Sequence, residues 1–547
     1  LAYGRNELQV RYDQCFQQKQ GYRSQPAAIM EKYPNRKYLG EPFYNSVRYA
    51  YTFDNRLQAG LTAEKDAGEP MWNKHNKGYD FYSFHLLAKD LGWLKTLVAG
   101  DYKMSFGQGL VASNDFAPGR NAIVAQAERR GYGFRRHFST NENDFFRGMA
   151  TTARWDNIYL SLFYSYKRMD ATMSDSLTAS SIKTDGLHRL PGERDKTGVL
   201  PMQTFGGNMS YIAPKLCLGL TAIRYSFGDY SVIPADRPYN VFYFRGNENL
   251  NMSVDYKIKS RKLKFYGETA ISANKAVATL NAVQLTPASH LSFLLLYRYY
   301  AEQYQAYFGN AFSQNTAVQN EQGLYAAMQI SPFAYWKVSA YADFFRFPWL
   351  KYGVDAPSDG KEYMLQVDYT RMEDASFYLR YKYRQREKNQ TLPPVNNTQV
   401  EPYGQHKVRF QAQYALRSCL FRTSVEGVAY SETGKQSSGM MAEQSLAWKP
   451  SLPLQADINV AYFHTDDYDT RLGSHEKNIP YVFNRPQLYG HGLRMSAIAR
   501  YDISDNTNIS AKLAHTHYFD REVTGTGTEE IEGNVKTDIC ILVRHKF

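Results

Sequence analysis

Three groups of side chains are spaced closely enough to do chemistry. The first is acidic, with Glu64, Asp66 and Glu69 around Lys65. Carboxylates at this spacing supply hard oxygen ligands of the kind Ca²⁺ takes. The ligand set is incomplete, so a solvated strand end compensated by Lys65 is expected. The second group is basic and aromatic: between Ala127 and Phe138, Arg129, Arg130, Arg135, Arg136 and His137 stand beside Tyr132 and Phe134. Guanidinium groups next to rings suit lipopolysaccharide phosphates, a nucleic-acid backbone or an acidic partner. These four arginines are the candidate anion- or partner-binding residues, and an outer loop lying in the lipid headgroup zone is the competing reading. The third group is basic, with Arg380, Lys382 and Arg384 at every second position, followed by Lys407, Arg409 and Arg417 and, at the end of the chain, Arg544 and Lys546.

The other chemistry-bearing residues form no catalytic pattern. His515 and His517 flank Thr516, while His75, His85, His137 and His188 are scattered. Without a nearby serine and carboxylate they read as solvated or girdle residues. Cys15 and Cys540 lie near the two ends of the chain, where a disulfide would close the fold. Cys217 and Cys419 have no metal spacing. No CxxC, Walker, HExxH or GxSxG pattern occurs. No enzyme, metal or cofactor is therefore expected.

For the basic row to act together its residues must share a face, and period-2 alternation provides one. From Ser376 to Arg386, Phe377, Leu379, Tyr381 and Tyr383 fall on one side, and Tyr378, Arg380, Lys382, Arg384 and Arg386 on the other. The flanking segments repeat this, with Tyr363, Leu365, Val367 and Tyr369 before it and Val408, Phe410, Ala412 and Tyr414 after it. If the polar face lines water, its field favours anions. Glu362, Asp368, Glu426 and Asp538 interleave with the cations, so ion-pair ladders are the alternative.

Composition limits what such strands can build. The chain has 547 residues, 43% hydrophobic and 15% aromatic, with Tyr 45, Phe 31 and Trp 6, and a net charge of +12. That excludes a disordered chain, and Cys 4 excludes a disulfide scaffold. A mean hydropathy of -0.55 is too polar for a bundle of membrane helices. Even Ala276 to Tyr297, which has no charged residue, is broken by Pro287-Ala288-Ser289. The chain opens at Leu1 without a leader and reads as a processed form or a fragment.

Turns sort into two lengths. Short ones fall near Asp54-Asn55-Arg56, Asp90-Leu91-Gly92, Trp155-Asp156-Asn157, Ala213-Pro214-Lys215, Lys259-Ser260-Arg261 and Pro287-Ala288-Ser289. Others fall near Ser331-Pro332-Phe333, Glu373-Asp374-Ala375, Arg417-Ser418-Cys419, Pro450-Ser451-Leu452 and Ser504-Asp505-Asn506. Longer polar loops are expected near 110 to 143, 174 to 200, 307 to 320, 389 to 404 and 468 to 485. Short turns at one end and long loops at the other predict an all-β, transmembrane antiparallel β-barrel in the bacterial outer membrane. The hairpins, a first strand near Asn6 to Gln17 and a last one from Val535 to Phe547 give about 24 strands, in a range of roughly 22 to 26. At ~9 to 11 residues per crossing the whole chain, residues 1–547, is one barrel domain, with 110–143 as a lumen-occluding or gating segment. The strand ending on Phe547 is similar to the terminal signal by which bacterial outer-membrane barrels are recognised for assembly.

Several motifs also resemble one family. Gly60 to Pro70 (GLTAEKDAGEP), Gly78 to Ser83, Gly100-Asp101-Tyr102, Phe106-Gly107-Gln108-Gly109-Leu110, and Asn141-Glu142-Asn143 followed by Phe146-Arg147-Gly148 resemble outer-membrane barrels of the Bacteroidetes. A helix-hairpin-helix module, of a type associated with DNA, commonly precedes the barrel in that family. The resemblance implies fold and compartment and lends no catalytic residues. With strand character beginning near Asn6, the module is not expected within these residues. The expectation is a non-enzymatic channel or transport barrel, or the barrel subunit of an envelope transport or assembly complex. The alternative is a barrel for capture or passage of DNA. Expected partners are outer-membrane lipid and lipopolysaccharide, with other barrels, surface lipoproteins or nucleic acid as further options.

Overall fold

The alternating segments pair into one antiparallel ladder that closes on itself. The computed structural model describes residues 4–114, 124–372, 375–392, 397–450 and 453–547. Its main sheet has 25 strands, of which Gly133–Arg136 pairs only with Leu94–Ser105, so 24 form the barrel wall. Closure comes from the first strand, Arg5–Cys15, which pairs with Phe43–Phe53 on one side and with the last strand, Val535–Lys546, on the other. Asn6 and Phe547 exchange backbone hydrogen bonds of 3.0 and 3.1 Å at the seam. A spanning sheet must satisfy every backbone group internally, and only closure removes its edges.

The faces follow the alternation. Leu365 stands opposite Tyr381, and Tyr381 opposite Val408, all on the outside. Leu379 is 49% exposed there, a normal state for a side chain whose solvent is lipid. Arg380, Lys382 and Arg384 point inward. The short turns lie at one end, and the longer connections at 16–42, 66–80, 106–145, 170–199, 227–247, 301–320, 466–490 and 519–534 lie at the other. Parts of two expected turns, residues 373–374 and 451–452, and residues 115–123 of the expected occluding segment fall outside the described residues.

One expectation is corrected, and one disfavoured option is closed. The expected loop 389–404 is mostly ladder: Ala375–Leu392 and Asn397–Leu416 stay paired from Ala375 opposite Tyr414 to Leu392 opposite Asn397. Residues 393–396 lie outside the described residues. The strands run 18 and 20 residues, beyond the ~11 that a crossing needs. Continued pairing satisfies the backbone above the membrane, where polar side chains such as Lys388 and Gln390 hide the strand from a hydropathy reading. The closing disulfide is not formed either. Cys15 pairs with Asp538 and Cys540 with Asp13, so the two thiols are offset diagonally, and Cys540 Sγ donates to Asp13 Oδ1 at 2.6 Å.

The interior is packed. Leu110, Val111 and Ala112 are buried in one cluster with Leu280, Leu296, Tyr300, Tyr304 and Tyr325 from the wall. Glu268 accepts the backbone N–H groups of Gln108 (2.6 Å) and Leu110 (3.0 Å). Two glycines allow this approach. Gly107 and Gly109 have φ of +56° and +84°, and a Cβ on either would stand 2.7 Å from Glu268 or from the Asn310 carbonyl. The loop 301–320 joins the same mass, with Glu321 accepting from the Gln314 N–H at 2.8 Å and from Arg298 Nε at 2.5 Å.

Candidate functional site

The loop 466–490 folds into the other side of the lumen, with Leu472 and Leu488 packed on Phe463 and Tyr518 at its base and polar contacts holding the stretch between. Glu443 accepts from Ser474 Oγ at 2.6 Å and from the His475 N–H at 2.9 Å. Glu476 is held by Arg494 and by Lys512, at 2.8 and 2.7 Å. Between the two inward segments stands Arg48, whose guanidinium lies 4.6 Å from the Phe138 ring and 5.4 Å from the Tyr481 ring.

Where loop 466–490 meets the basic row, they enclose a cavity of about 210 Å³ lined by Arg380, Lys382, Lys407, Arg409, His475 and Arg485, with Glu426 as its carboxylate. The register of the wall makes this cavity unusual. Arg380 stands directly opposite Arg409, and Lys382 directly opposite Lys407. Like charges directly opposite in a sheet destabilise it, and here two such pairs follow one another on one face. Compensation is partial. Glu362 binds Lys382 at 3.0 Å and Arg384 at 2.9 Å, a piece of the ion-pair ladder that was the alternative reading. Glu426 accepts from Arg409 at 3.3 Å, and Gln366 accepts from Arg380 at 2.6 Å. Lys407 has no ion-pair partner among the described residues, and the buried Nε of Arg409 has no hydrogen-bond acceptor among them. Arg485 donates to the ring of His475. Burial, followed by Arg409 and Arg485, holds that imidazole neutral, well below its ordinary pKa. The result is a concave group of cations with one carboxylate, shaped to hold an anion.

The other candidate arginines are dispersed. Arg129 donates to the carbonyls of Asn310 and Ala311, both at 3.2 Å, and so fastens the inward segment. Arg130 is exposed; Arg135 lies 3.7 Å from the Tyr132 ring, and Arg136, the next residue along the strand, points to the opposite face. They make no continuous platform. Phe547 sits at the seam.

The acidic cluster is corrected from a solvated strand end to a buried junction. Glu64 and Glu69 are buried, and Glu69 is joined by Asp80 and His188, whose ligand atoms lie within 4.8 Å of one another. His188 spends both ring nitrogens on carboxylates, Nδ1 on Asp80 and Nε2 on Asp170 at 2.9 Å. Burial opposes a charged ring, but the hydrogen bonds that it donates to Asp170 and Asp80 outweigh it and lift its pKa to about 11. An imidazolium bridging two carboxylates is a strap, and its nitrogens are not available to a metal. Burial, then Asp80 and Asp66, pushes Glu69 up to about 7, and burial with Glu69 pushes Glu142 up to about 8. The reading of His85, His137 and His188 as solvated or girdle residues is likewise overturned, since all three are buried inside. Sequence reasoning missed His475, Arg485, Asp80 and Glu142. The alternating charges of His475-Glu476-Lys477 inside a loop were the available signal.

A closed 24-strand barrel with an apolar outside and a charged, loop-filled interior defines a bacterial outer-membrane protein. No known family matches the chain, and no curated protein matches it. Solved structures similar to it include the ferric enterobactin receptor PfeA of Pseudomonas aeruginosa, at 8% identity over 100% of this chain and 80% of that one, with a TM-score of 0.44. The siderophore receptor PirA of Acinetobacter baumannii is 10% identical over 100% and 80%, with a TM-score of 0.43. The ferripyoverdine receptor of Pseudomonas aeruginosa is 10% identical over 99% and 72%, with a TM-score of 0.42.

Proposed function

We propose that the protein is a non-enzymatic outer-membrane transport barrel for anionic solutes, held shut by its own outer loops. The observation that carries this reading is the pair of facing cations, Arg380 with Arg409 and Lys382 with Lys407. A sheet pays for such an arrangement in stability, and a passing anion compensates it. Leu472 and Leu488 pack the base of the loop against Phe463 and Tyr518, but its stretch from Ser474 to Lys477 over the cavity is held by hydrogen bonds and ion pairs, which exchange with water more readily than the apolar packing around Leu110. That difference makes loop 466–490 the gate and segment 106–114 the fixed fill. A partner on the outer face, another barrel or a surface lipoprotein, has a polar latch to pull on. The dispersal of Arg129, Arg130, Arg135 and Arg136 removes the continuous basic surface that DNA passage needs.

The test is reversal potential in planar bilayers under a KCl gradient, using a variant that lacks residues 474–486. It is expected to be anion-selective, and Arg380→Gln with Lys407→Gln should lower the chloride-to-potassium permeability ratio several-fold. A cation-selective pore, or a ratio unchanged by the double substitution, overturns the reading.

A further inference from the structure

A second cavity lies beside the basic row, at the outer ends of the strands that precede it in the wall. It measures about 760 Å³ and is framed by the loops 227–247, 301–320 and 348–357. Hydrogen bonds between these loops shape it before any ligand arrives. Trp349 Nε1 donates to the Pro238 carbonyl at 3.0 Å, and Asn320 both donates to and accepts from the Trp349 backbone, at 2.9 and 2.8 Å. Gln305 and Gln319 both donate to the Phe242 carbonyl, at 3.1 and 2.9 Å.

What this frame presents is aromatic. Tyr239 packs on Tyr352 at 5.7 Å and on Tyr243 at 6.3 Å, while Phe242 packs on Trp349 at 4.9 Å. Tyr352 is 84% exposed, and Tyr243 and Tyr307 also show open faces. Rings held rigidly at a concave surface, away from the lipid, mark a binding site. They offer flat faces with little side-chain entropy to lose.

The charges at the rim select the ligand. Arg237 and Glu302 both line the cavity, and neither has an ion-pair partner among the described residues. An apolar ligand would strip water from both without replacing it, which is costly. An anion meets Glu302 and a cation meets Arg237. Hydroxyl groups donate to the carboxylate and accept from the guanidinium, and a pyranose ring adds a flat C–H face for the tyrosine and tryptophan rings. We propose that this cavity binds a neutral oligosaccharide on the outer face of the barrel. Lys351, which also lines the cavity, directs its ammonium onto the face of the Phe347 ring, 3.4 Å away.

The test is calorimetric titration of the full chain in an amine-oxide detergent, which has no sugar headgroup. The probes are maltohexaose, cellohexaose, mannohexaose and chitohexaose, with N-phenyl-1-naphthylamine as the apolar control. At least one hexasaccharide should bind saturably, with affinity falling about tenfold in Tyr352→Ala, an exposed position that spares the fold, and several-fold in Glu302→Ala. Failure of all four sugars, saturation by the naphthylamine alone, or sugar binding unchanged in Tyr352→Ala overturns the proposal. Ion selectivity is read separately, so the lumen reading and this one fail independently.

Discussion

Arg494 holds Glu476 with two hydrogen bonds of 2.8 Å, Nε to Oε2 and Nη2 to Oε1. One residue belongs to the barrel wall and the other to the loop in the lumen, so this bidentate pair ties gate and wall directly. Lys512 adds a third bond, at 2.7 Å to Oε1. Charge-assisted, paired bonds of this kind are the strong ones.

Glu476→Ala should therefore open the gate. It leaves Arg494 and Lys512 buried without a carboxylate, and stranding a buried charge costs about 3 to 5 kcal/mol. The loop can avoid that cost by swinging out, because the 24-strand wall does not depend on it. In planar bilayers the open fraction should rise several-fold, while the heat-modifiable mobility of the folded barrel stays unchanged. Conductance equal to that of the unaltered protein would rule the latch out.

Lys407→Glu should separate stability from transport. The new carboxylate would stand opposite Lys382 and turn a like-charge pair into an opposite-charge one, worth about 0.2 to 1 kcal/mol. The variant is expected to unfold at higher urea concentration and to conduct anions less selectively in the gate-deleted background. Lower stability, or unchanged selectivity, contradicts the functional reading of the row.

The junction of Glu69, Glu142 and His188 makes the outer loops pH-sensitive. Glu69 and Glu142 have folded pKa values of about 7 and about 8, above the ordinary carboxylate range. The folded junction therefore binds more protons than the opened one, and its stability falls as pH rises from about 4.5 to about 8. His188 acts in the same direction: its contribution is full below its ordinary pKa near 6.5 and is lost as pH climbs toward about 11. Amide exchange of residues 66–80 and 183–199 should accelerate from pH 5 to pH 9 beyond the intrinsic chemical rate. His188→Asn should flatten the part of that rise above pH 6.5. Exchange that slows with pH would refute the assignment.

Phe547 should matter at the seam out of proportion to its size. Its backbone closes the ladder against Asn6, and Asn6 Nδ2 also donates to its carbonyl at 3.1 Å. Deleting Phe547 should lower the yield of heat-modifiable barrel in vesicles several-fold, and Asn6→Ala should lower it less. Equal yields for all three proteins would show that closure does not need this residue.

The strands, their faces and their number were legible in the sequence because alternation is a local property. Phe377 to Arg386 shows which side of the strand meets lipid without any knowledge of its neighbours. Tight turns such as Trp155-Asp156-Asn157 announce themselves with equal economy, with Asp156 at φ +50°. Even the basic row could be placed inside from its phase alone.

What fills the barrel could not be read this way. Arg485 and His475 reach Arg409, Glu69 meets His188, and Leu110 packs on Leu296, through contacts between segments far apart in the chain. Loops carry no period, so nothing local shows whether Glu69 ends in water or beside Asp80. The alternating pattern by itself determined a closed outer-membrane barrel with a basic inner row. Only the tertiary structure decided which loops pack into the lumen, because filling a cavity depends on which distant loops fit into it together.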